Sequence, residues 1–195
     1  WNDDPQPLLV LRQLREEGKI NLIGVSTPEQ DQDCVIQLMR DGLVDVVQII
    51  FNLFHQEPAA QLLPVAAETG TGVIVRVSLD EGALTGKFSA DHQFCEDDFR
   101  ASYFAGDRMR RTAERVSQIA ADVKASGLSE SYTLADVALK FALARPEVST
   151  VIAGMRTIEQ VEKNTRSSEL KDLPTPLLQK LRRHNWRRGV WYAGK

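Results

Sequence analysis

The sequence has few of the features that mark a secreted protein, a membrane protein or a nucleic-acid-binding protein. Its only two cysteines, Cys34 and Cys95, form neither a disulfide framework nor the spacing of a metal site. No apolar run approaches the ~18 residues that a membrane-spanning helix needs. The formal net charge of −3 gives no electrostatic reason to expect a nucleic acid as partner. We therefore expect a cytoplasmic protein that has no metal site and binds neither membrane nor nucleic acid.

The length of 195 residues suits one hydrophobic core, and a hydrophobic content of 43% is ordinary for a globular chain. The sequence begins with Trp1 rather than Met, and Asp3-Asp4-Pro5 resembles a loop that follows a strand. We interpret residues 1–195 as a single partial domain whose N-terminal part is missing from the sequence.

Helices and short apolar strands alternate along the chain. Thr27, Pro28 and Gln30 are typical of a capped helix start, and Pro64 is expected to break or kink the helix opened by Pro58. The predicted helices are 7–17, 27–40, 58–69, 108–124, 134–144 and 174–188, and the predicted strands are 20–25, 44–51, 73–77 and one that begins at Val151. Such alternation predicts parallel strands joined by crossover helices. The short apolar run 20–25 is expected to be a strand buried on both faces. A doubly wound sheet would fit equally well, but no strand is followed by Gly-x-Gly-x-x-Gly, which argues against a nucleotide-binding sheet of that kind.

The segment after Val151 has the features of a phosphate site. A glycine turn at Gly154 leads into a helix that opens at Thr157, and free backbone N–H groups at a helix start attract anions. Arg156 adds a positive charge beside them. Gln160 and Asn164 are four residues apart and share one helix face. Alternatively, Thr157 and Gln160 form a capping box that needs no ligand.

The long polar stretch 78–107 is typical of a lid or a binding loop. His55 could reach a site from the second strand, although a surface-loop histidine is the plainer interpretation. Arg100 and Arg108 lie in or beside the stretch and are weaker candidates for ligand contacts. Tyr103 and Phe104 could line a cleft or pin the loop. The arginines of the last predicted helix are expected to form a solvated face; they are Arg182, Arg183, Arg187 and Arg188.

Four motifs in order resemble the aldo-keto reductase family. They are Gly24-Val25-Ser26, Gln48 in Val-Gln-Ile-Ile-Phe-Asn, the loop Ser78-Leu79-Asp80-Glu81-Gly82-Ala83-Leu84-Thr85-Gly86-Lys87, and Gly154-Met155-Arg156 with Gln160 and Asn164. The resemblance implies the C-terminal half of an α/β (β/α)8 TIM barrel, covering nearly the whole chain. It also implies that the chain carries the NADPH-binding side of that barrel.

The resemblance assigns cofactor-binding residues to three parts of NADPH. Ser26, Thr27 and Gln48 would hold the nicotinamide carboxamide. The loop with Ser78, Leu79, Gly82 and Lys87 would run over the pyrophosphate. The end that carries the adenosine 2′-phosphate would lie on Gly154, Arg156, Gln160 and Asn164.

Three positions depart from the family pattern. Thr27 stands where the family usually has asparagine, and a plain helix cap is an alternative role for it. Ser78 replaces a proline. Arg76 occupies the place of the aromatic residue that stacks on the nicotinamide. A guanidinium can stack on a ring but repels the positively charged oxidised form, so Arg76 is predicted to favour NADPH over NADP⁺.

The family's catalytic Asp, Tyr, Lys and His precede the Gly-Val-Ser strand, so no catalytic residue is assigned here. Tyr103, Tyr132 and Tyr192 all lie in the wrong half. We expect an NADPH-dependent reductase of aldehydes or ketones once the barrel is complete. A non-catalytic NADPH-binding or regulatory module, like a channel subunit, is the alternative, and an unrelated barrel with a phosphate site is a third. A half barrel exposes strand edges, which predicts association with its missing half, a second copy or another partner.

Overall fold

The computed structural model describes residues 6–188, so the predictions at Trp1, Asp3–Pro5 and Tyr192 lie outside the described residues. The described chain alternates helices with four strands, as predicted. The helices are α1 (Gln6–Glu16), α2 (Ile36–Arg40), α3 (Leu62–Thr69), α4 (Phe99–Tyr103), α5 (Arg108–Ala125), α6 (Leu134–Leu143), α7 (Ile158–Arg166) and α8 (Thr175–Leu181). The strands are β1 (Gly24–Ser26), β2 (Val46–Ile50), β3 (Gly72–Arg76) and β4 (Thr150–Val151).

The four strands form one parallel sheet in the order β1-β2-β3-β4. Each strand is therefore hydrogen-bonded to the strand that follows it along the chain. A doubly wound sheet reverses its strand order at a switch point, whereas the wall of a (β/α)8 barrel keeps it. The topology is that of a barrel segment, which settles the alternative that periodicity left open.

The prediction that the first strand is buried on both faces is wrong, because in β1 Val25 is buried while Gly24 and Ser26 are exposed. In β2 and β3 one face is fully covered, by Val47, Ile49, Val73 and Val75, and the other residues are half-buried except Ile50, which is buried at the end of β2. The covered face packs into a single hydrophobic core with the helices. The other face would look into the barrel interior, and no second wall covers it within residues 6–188.

The expected capped helix at Thr27 is also wrong. The helical segment begins only at Gln32, as a 3-10 turn over Gln32–Val35 that leads into α2. Gln32 is buried, and its amide binds the backbone of Ile50 on β2, accepting from the N–H at 2.6 Å and donating to the carbonyl at 3.0 Å. The Thr27 hydroxyl donates to Gln32 Oε1 at 2.9 Å. Because these tertiary hydrogen bonds use the polar side chains, no local cap forms.

Two further helix predictions need correction. Pro64 does not break α3, because it lies in the first turn, where a missing N–H costs no intrahelical bond. The last helix does not reach Arg188: α8 ends at Leu181, a 3-10 turn covers Arg182–His184, and the chain then runs on without helical structure. By contrast, the predicted helix start at residue 134 is confirmed, and Thr133 and Asp136 form a capping box there.

Exposed apolar side chains mark both ends of the sheet. Beside β1 lies Leu22, and beyond β4 lie Ile152, Met155 and Ile158, the last of them 79% exposed. Helix α7 has no buried residue although its apolar residues share one side. Among residues 6–188, no helix is long and apolar enough to cross a membrane.

We predict that the 195-residue chain associates in a concentration-dependent way at micromolar concentration, because open parallel edges and these apolar side chains favour pairing. Ile158→Asp should weaken association about tenfold, the effect of leaving one large aliphatic side chain out of an interface. Light scattering coupled to size-exclusion chromatography measures this, with Lys124→Asp on α5 as the control. A clean monomer over the whole concentration range would contradict the prediction.

Candidate functional site

Three connected cavities lie beyond the carboxyl ends of the strands, where α/β proteins place their ligands. The first, of about 620 Å³, lies between the loop after β3 and the loop after β4. The second, of about 510 Å³, shares with it Leu79, Thr85, Gly154 and Gln160. We call these two cavities together the main cleft. A third cavity of about 330 Å³ continues from the first over the end of β3.

The start of α7 forms one wall of the main cleft. Thr157 caps the helix by accepting from the Gln160 N–H at 3.2 Å. The Gln160 side chain does not complete a capping box, since its Oε1 accepts from the N–H of Arg156 at 2.6 Å. Asn164 Nδ2 donates to the Gly154 carbonyl at 3.2 Å. Gln160 and Asn164 thus share a face, as predicted, and both hold the Gly154–Arg156 turn in place while Arg156 itself stays exposed.

The loop after β3 forms the opposite wall and has a strained backbone. Val77, Asp80 and Glu81 have φ angles of +55°, +49° and +55°. Such angles are costly for residues other than glycine, most of all for a β-branched valine, and persist only where the surroundings enforce them. Gly82, at φ +94°, lies against the Phe88 ring, which an added Cβ would meet at 3.3 Å.

Ser78 places a hydroxyl without a hydrogen-bond partner in the wall of the first cavity. The residue is 1% exposed, and its Oγ is buried with no partner among the described residues. A buried hydroxyl without a partner costs free energy. The family resemblance already placed Ser78 in the pyrophosphate loop, and the structure adds that its hydroxyl is buried beside the cavity with no partner among the described residues.

The ends of β1, β2 and β3 bring three predicted residues onto the open face of the sheet. The register pairs Ser26 with Gln48 and Gln48 with Ile74, and Arg76 follows two residues later on the same face. Arg76 Nη2 donates to the Thr27 carbonyl at 2.8 Å, and its Nε is buried without a partner among the described residues. Burial lowers the pKa of Arg76, partly opposed by Glu29 and Glu81.

Asp98 and Arg100 form an ion pair in the wall of the first cavity, and the sequence did not predict this pair. Arg100 Nε lies 2.9 Å from Asp98 Oδ1, and the Asp98 side chain also caps α4. The Arg100 hydrogen bonds lower the pKa of Asp98 to about 2. An aspartate two residues before an arginine gives no signal of its own, so sequence reasoning found Arg100 only as a loop candidate and missed its partner.

Aromatic side chains anchor the long loop that carries this pair. Phe94 stacks on Phe104 with ring centroids 5.5 Å apart, and Phe88 packs edge-on against Phe94 at 5.0 Å. The Arg100 guanidinium lies 4.7 Å from the Phe94 ring centre. Of the two roles considered for Tyr103 and Phe104, Phe104 pins the loop, and Tyr103 lines the third cavity.

Polar and cationic side chains line the second cavity, and the sequence identified only some of them. Lys87 and Asn164 were predicted, whereas Lys163 and Arg166 were missed although they lie on the same helix as Asn164. Arg166 is held by the buried carboxylate of Asp136, whose Oδ2 lies 2.7 Å from Arg166 Nη2. Lys163 is likewise paired with Glu159, and Asp136 and Glu162 line the same cavity, so carboxylates neutralise part of this positive charge.

The predicted residues fall into clear groups. Leu79, Gly154 and Gln160 line both cavities of the main cleft, Ser78, Gly82 and Arg156 the first, and Lys87 and Asn164 the second. Arg76 lines the third cavity. Ser26, Thr27 and Gln48 lie at the ends of neighbouring strands but line none of the three.

His55 lies apart from the main cleft, against Gln32. The Gln32 Nε2 atom is 3.0 Å from His55 Nε2, and Glu57 Oε2 is 3.6 Å away. Burial lowers the pKa of His55, and Glu57 opposes this shift only in part.

We therefore predict that the protein loses stability between pH 7 and pH 5.5. The unfolded chain binds a proton at His55 near the ordinary histidine pKa of ~6.5, whereas the folded chain binds it only at lower pH, so protonation favours unfolding across that window. His55→Gln should show a smaller loss over the same range. Urea unfolding at the two pH values measures both, and equal losses in the two proteins would refute the assignment.

Comparison with known proteins adds a family to this geometry. The family model described as "Aldo/keto reductase family" matches residues 4–185. The NADH-specific methylglyoxal reductase of Escherichia coli is 25% identical over 161 residues, 82% of this chain and 47% of that protein. A protein named "Probable voltage-gated potassium channel subunit beta" from Arabidopsis thaliana is 25% identical over 134 residues, 68% of this chain and 41% of its own length.

Two solved structures share the fold. A glycerol dehydrogenase from Gluconobacter oxydans superimposes with a TM-score of 0.71 at 22% identity, covering 88% of this chain and 50% of that chain. The holo form of an aldo-keto reductase from Bacillus halodurans gives 0.69 at 21% identity, covering 96% and 60%. The chain thus spans about half the length of the relatives it matches.

Proposed function

The chain belongs to the aldo/keto reductase family, and from this we propose that it supplies the cofactor-binding half of an oxidoreductase that reduces aldehydes or ketones to alcohols when the barrel is complete. The family uses nicotinamide cofactors, which supply a hydride when bound. We propose NADPH as the cofactor and a small carbonyl compound as the substrate.

The main cleft is the observation that carries the proposal. It is elongated, and it joins a strained loop to a helix N-terminus and then to a group of cations. A dinucleotide is a long ligand with an anionic centre, and an adenosine 2′-phosphate adds a second anionic group in NADPH. We propose that the Ser78 hydroxyl, which is buried without a partner among the described residues, donates to the anionic centre of the dinucleotide. Exposed Arg156 at the start of α7 would bind the 2′-phosphate.

The remaining predicted residues take roles along the same path. We propose that Leu79, Gly82 and Lys87 pack along the pyrophosphate, and that Gly154 leaves room for the adenosine, since no heavy atom lies within 4 Å of the place a Cβ would occupy. Gln160 and Asn164 hold the turn beside Arg156. At the nicotinamide end we propose Ser26 and Gln48, paired in the sheet, and Arg76.

Thr27 takes a different part in this proposal from the one its sequence position implies. Its hydroxyl is engaged by Gln32, and its carbonyl accepts from Arg76. We propose that Thr27 contributes by orienting Arg76 at the nicotinamide end.

No catalytic residue is assigned among residues 6–188. Burial raises the pKa of the Tyr103 phenol, which makes it a weaker acid. The Tyr132 hydroxyl donates to the Lys171 carbonyl at 2.9 Å, away from the cavities. The proton donor for a reduced carbonyl is therefore proposed to lie outside residues 6–188.

Calorimetric titration of the chain with NADPH and with NADH tests the proposed function. Saturable binding of NADPH that is tighter than that of NADH is expected, since the exposed Arg156 at the start of α7 favours the extra phosphate. The name of the Escherichia coli relative specifies NADH, so the preference is open to correction by this measurement. Binding of neither cofactor, by this chain or by a chain extended to a full barrel, would refute the proposal.

Ser78→Ala is expected to weaken NADPH binding about three- to tenfold, because one hydrogen bond contributes about 0.5–1.5 kcal/mol. The stability of the unliganded protein should stay the same or rise, since the variant removes a buried hydroxyl without a partner. Titration with NADPH and thermal unfolding measure the two effects, and Ser89→Ala in the same loop region is the control. Unchanged affinity would remove Ser78 from the site.

The alternative is a non-catalytic NADPH-binding or regulatory module, which the similarity to the potassium channel subunit favours weakly. Both functions use the same cleft, so cofactor binding does not separate them. A full-length chain that binds NADPH yet reduces no aldehyde or ketone would favour the module.

A further inference from the structure

We infer that Arg188 is a positioning residue for the loop after β3, and that it acts through the buried carboxylate of Asp80. This inference rests on the proposed function only where it concerns NADPH. The loop residues that line the first cavity include Ser78, Leu79 and Gly82, and Asp80 lies between them in the chain with its side chain buried.

The Asp80–Arg188 pair is buried on both sides. The side chain of Asp80 is 0% exposed and that of Arg188 is 8% exposed. Two parallel hydrogen bonds join them, from Arg188 Nη1 to Oδ2 at 2.9 Å and from Nη2 to Oδ1 at 2.6 Å. This two-pronged geometry fixes direction as well as distance. The prediction that Arg188 belongs to a solvated helix face is therefore wrong.

The segment that carries Arg188 is itself anchored to a different part of the fold. The Trp186 N–H donates to the Phe54 carbonyl at 2.8 Å, and the Trp186 ring packs edge-on against Phe54 at 5.6 Å. One residue earlier, Asn185 Oδ1 accepts from the Gln56 N–H at 3.1 Å. The Arg188 guanidinium lies 5.7 Å from the Phe54 ring centre. These contacts hold the segment in place, so that the position of the Arg188 guanidinium does not depend on its hydrogen bonds to Asp80 alone.

The loop needs an external constraint of this kind. Val77, Asp80 and Glu81 all have positive φ angles, and a strained backbone relaxes unless its surroundings hold it. A carboxylate buried without a partner is strongly disfavoured. Without Arg188, the loop can lower its energy by turning Asp80 towards water. That movement would release the strain and displace Ser78 and Gly82 from the cavity wall.

The pair links residues that are 108 positions apart in the chain, so no local sequence pattern reveals it. It also explains why the loop can adopt angles that favour glycine without having glycine at those positions. The segment after α8 thus takes part in shaping the main cleft, although it contributes no residue to the linings of the two cavities.

The test compares Arg188→Met with Arg187→Met, the neighbouring exposed arginine, in the complete 195-residue chain. Hydrogen–deuterium exchange reads the backbone of residues 77–86, and calorimetry reads NADPH affinity. For Arg188→Met we expect about tenfold faster exchange confined to the loop and about tenfold weaker NADPH binding, with both unchanged in Arg187→Met. Arg188→Lys, which keeps the charge but not the two-pronged geometry, should recover part of each loss.

Two further variants keep the inference falsifiable if Arg188→Met unfolds. Asp80→Asn removes the carboxylate charge at constant shape, and the double variant Asp80→Asn with Arg188→Met leaves no buried charge at this position. If the pair acts as a unit, the double variant weakens NADPH binding no more than the worse single variant. Fully additive losses of NADPH affinity, or faster exchange across the whole sheet in every folded variant, would mean that Arg188 contributes only to overall stability. Either result would overturn the inference.

The two hypotheses fail in different ways. If the unmodified chain binds no NADPH but Arg188→Met still speeds exchange only in residues 77–86, the proposed function fails and the positioning role stands. If the unmodified chain binds NADPH, and Arg188→Met and Asp80→Asn bind it equally well with unchanged loop exchange, the positioning role fails and the proposed function stands.

Discussion

Arg156→Ala is expected to weaken NADPH binding about 10- to 100-fold while leaving NADH binding within about twofold. A hydrogen bond to a charged group contributes about 1.5–3 kcal/mol, and each 1.4 kcal/mol is about a factor of ten in affinity. Arg156 is exposed at the start of α7, where the helix N-terminus already favours an anion. The difference between the two cofactors isolates the 2′-phosphate from every other contact.

The Arg156→Ala variant should leave the conformation of the turn unchanged. The backbone of Arg156 is held by the Gln160 side chain, which accepts from its N–H, so the alanine variant keeps the turn. Titration with both cofactors measures the effect, and Arg182→Ala, an exposed arginine after α8, controls for a general loss of positive charge. Equal weakening of NADPH and NADH would mean that Arg156 shapes the turn rather than binding phosphate.

Arg76→Phe is expected to raise the affinity for NADP⁺ relative to NADPH by about tenfold. Two unit charges 4 Å apart interact by about 4 kcal/mol at the effective dielectric constant of a protein surface, and Glu29 and Glu81 near Arg76 cancel part of that repulsion. A phenyl ring keeps the stacking surface and removes the charge. The variant also loses the hydrogen bond to the Thr27 carbonyl, so absolute affinities for both forms can fall together.

The ratio of the two dissociation constants is therefore the measurement that matters, and titration of the same preparation with NADPH and NADP⁺ provides it. Arg76→Lys keeps the positive charge and serves as the matched control, in which the ratio should stay close to that of the unmodified protein. A ratio unchanged in Arg76→Phe would show that the guanidinium does not face the nicotinamide.

Much of the architecture was predictable because it depends on local chemistry. Helix α6 starts where Thr133 and Asp136 satisfy the first N–H groups reciprocally, and α7 starts at Thr157 for the same kind of reason. Glycines at positive φ end helices, as Gly70 does after α3. Such signals act over four residues or fewer, so the chain order of helices and strands could be predicted.

Two of the failed predictions involve polar groups that bind partners on other elements of the fold. Thr27 looked like a helix cap, but Gln32 reaches across to Ile50 on β2 and draws the Thr27 hydroxyl with it. Arg188 looked like a surface arginine, yet Asp80 holds it in the interior. In both cases burial makes the distant partner worth more than a local, solvent-competed hydrogen bond.

The amino-acid pattern alone determines that this chain is a parallel α/β structure with a glycine turn before α7, since helix caps, strand apolarity and turn residues are local properties; anion binding at Gly154–Arg156 stays a prediction. Tertiary structure alone decides which polar atoms remain available to a ligand. The Ser78 hydroxyl has no partner among residues 6–188 because the strained loop buries it beside a cavity, and we propose that a carboxylate–guanidinium pair across 108 residues enforces that loop conformation. Buried electrostatic contacts depend on distance in space, and spacing in the sequence does not contain that distance.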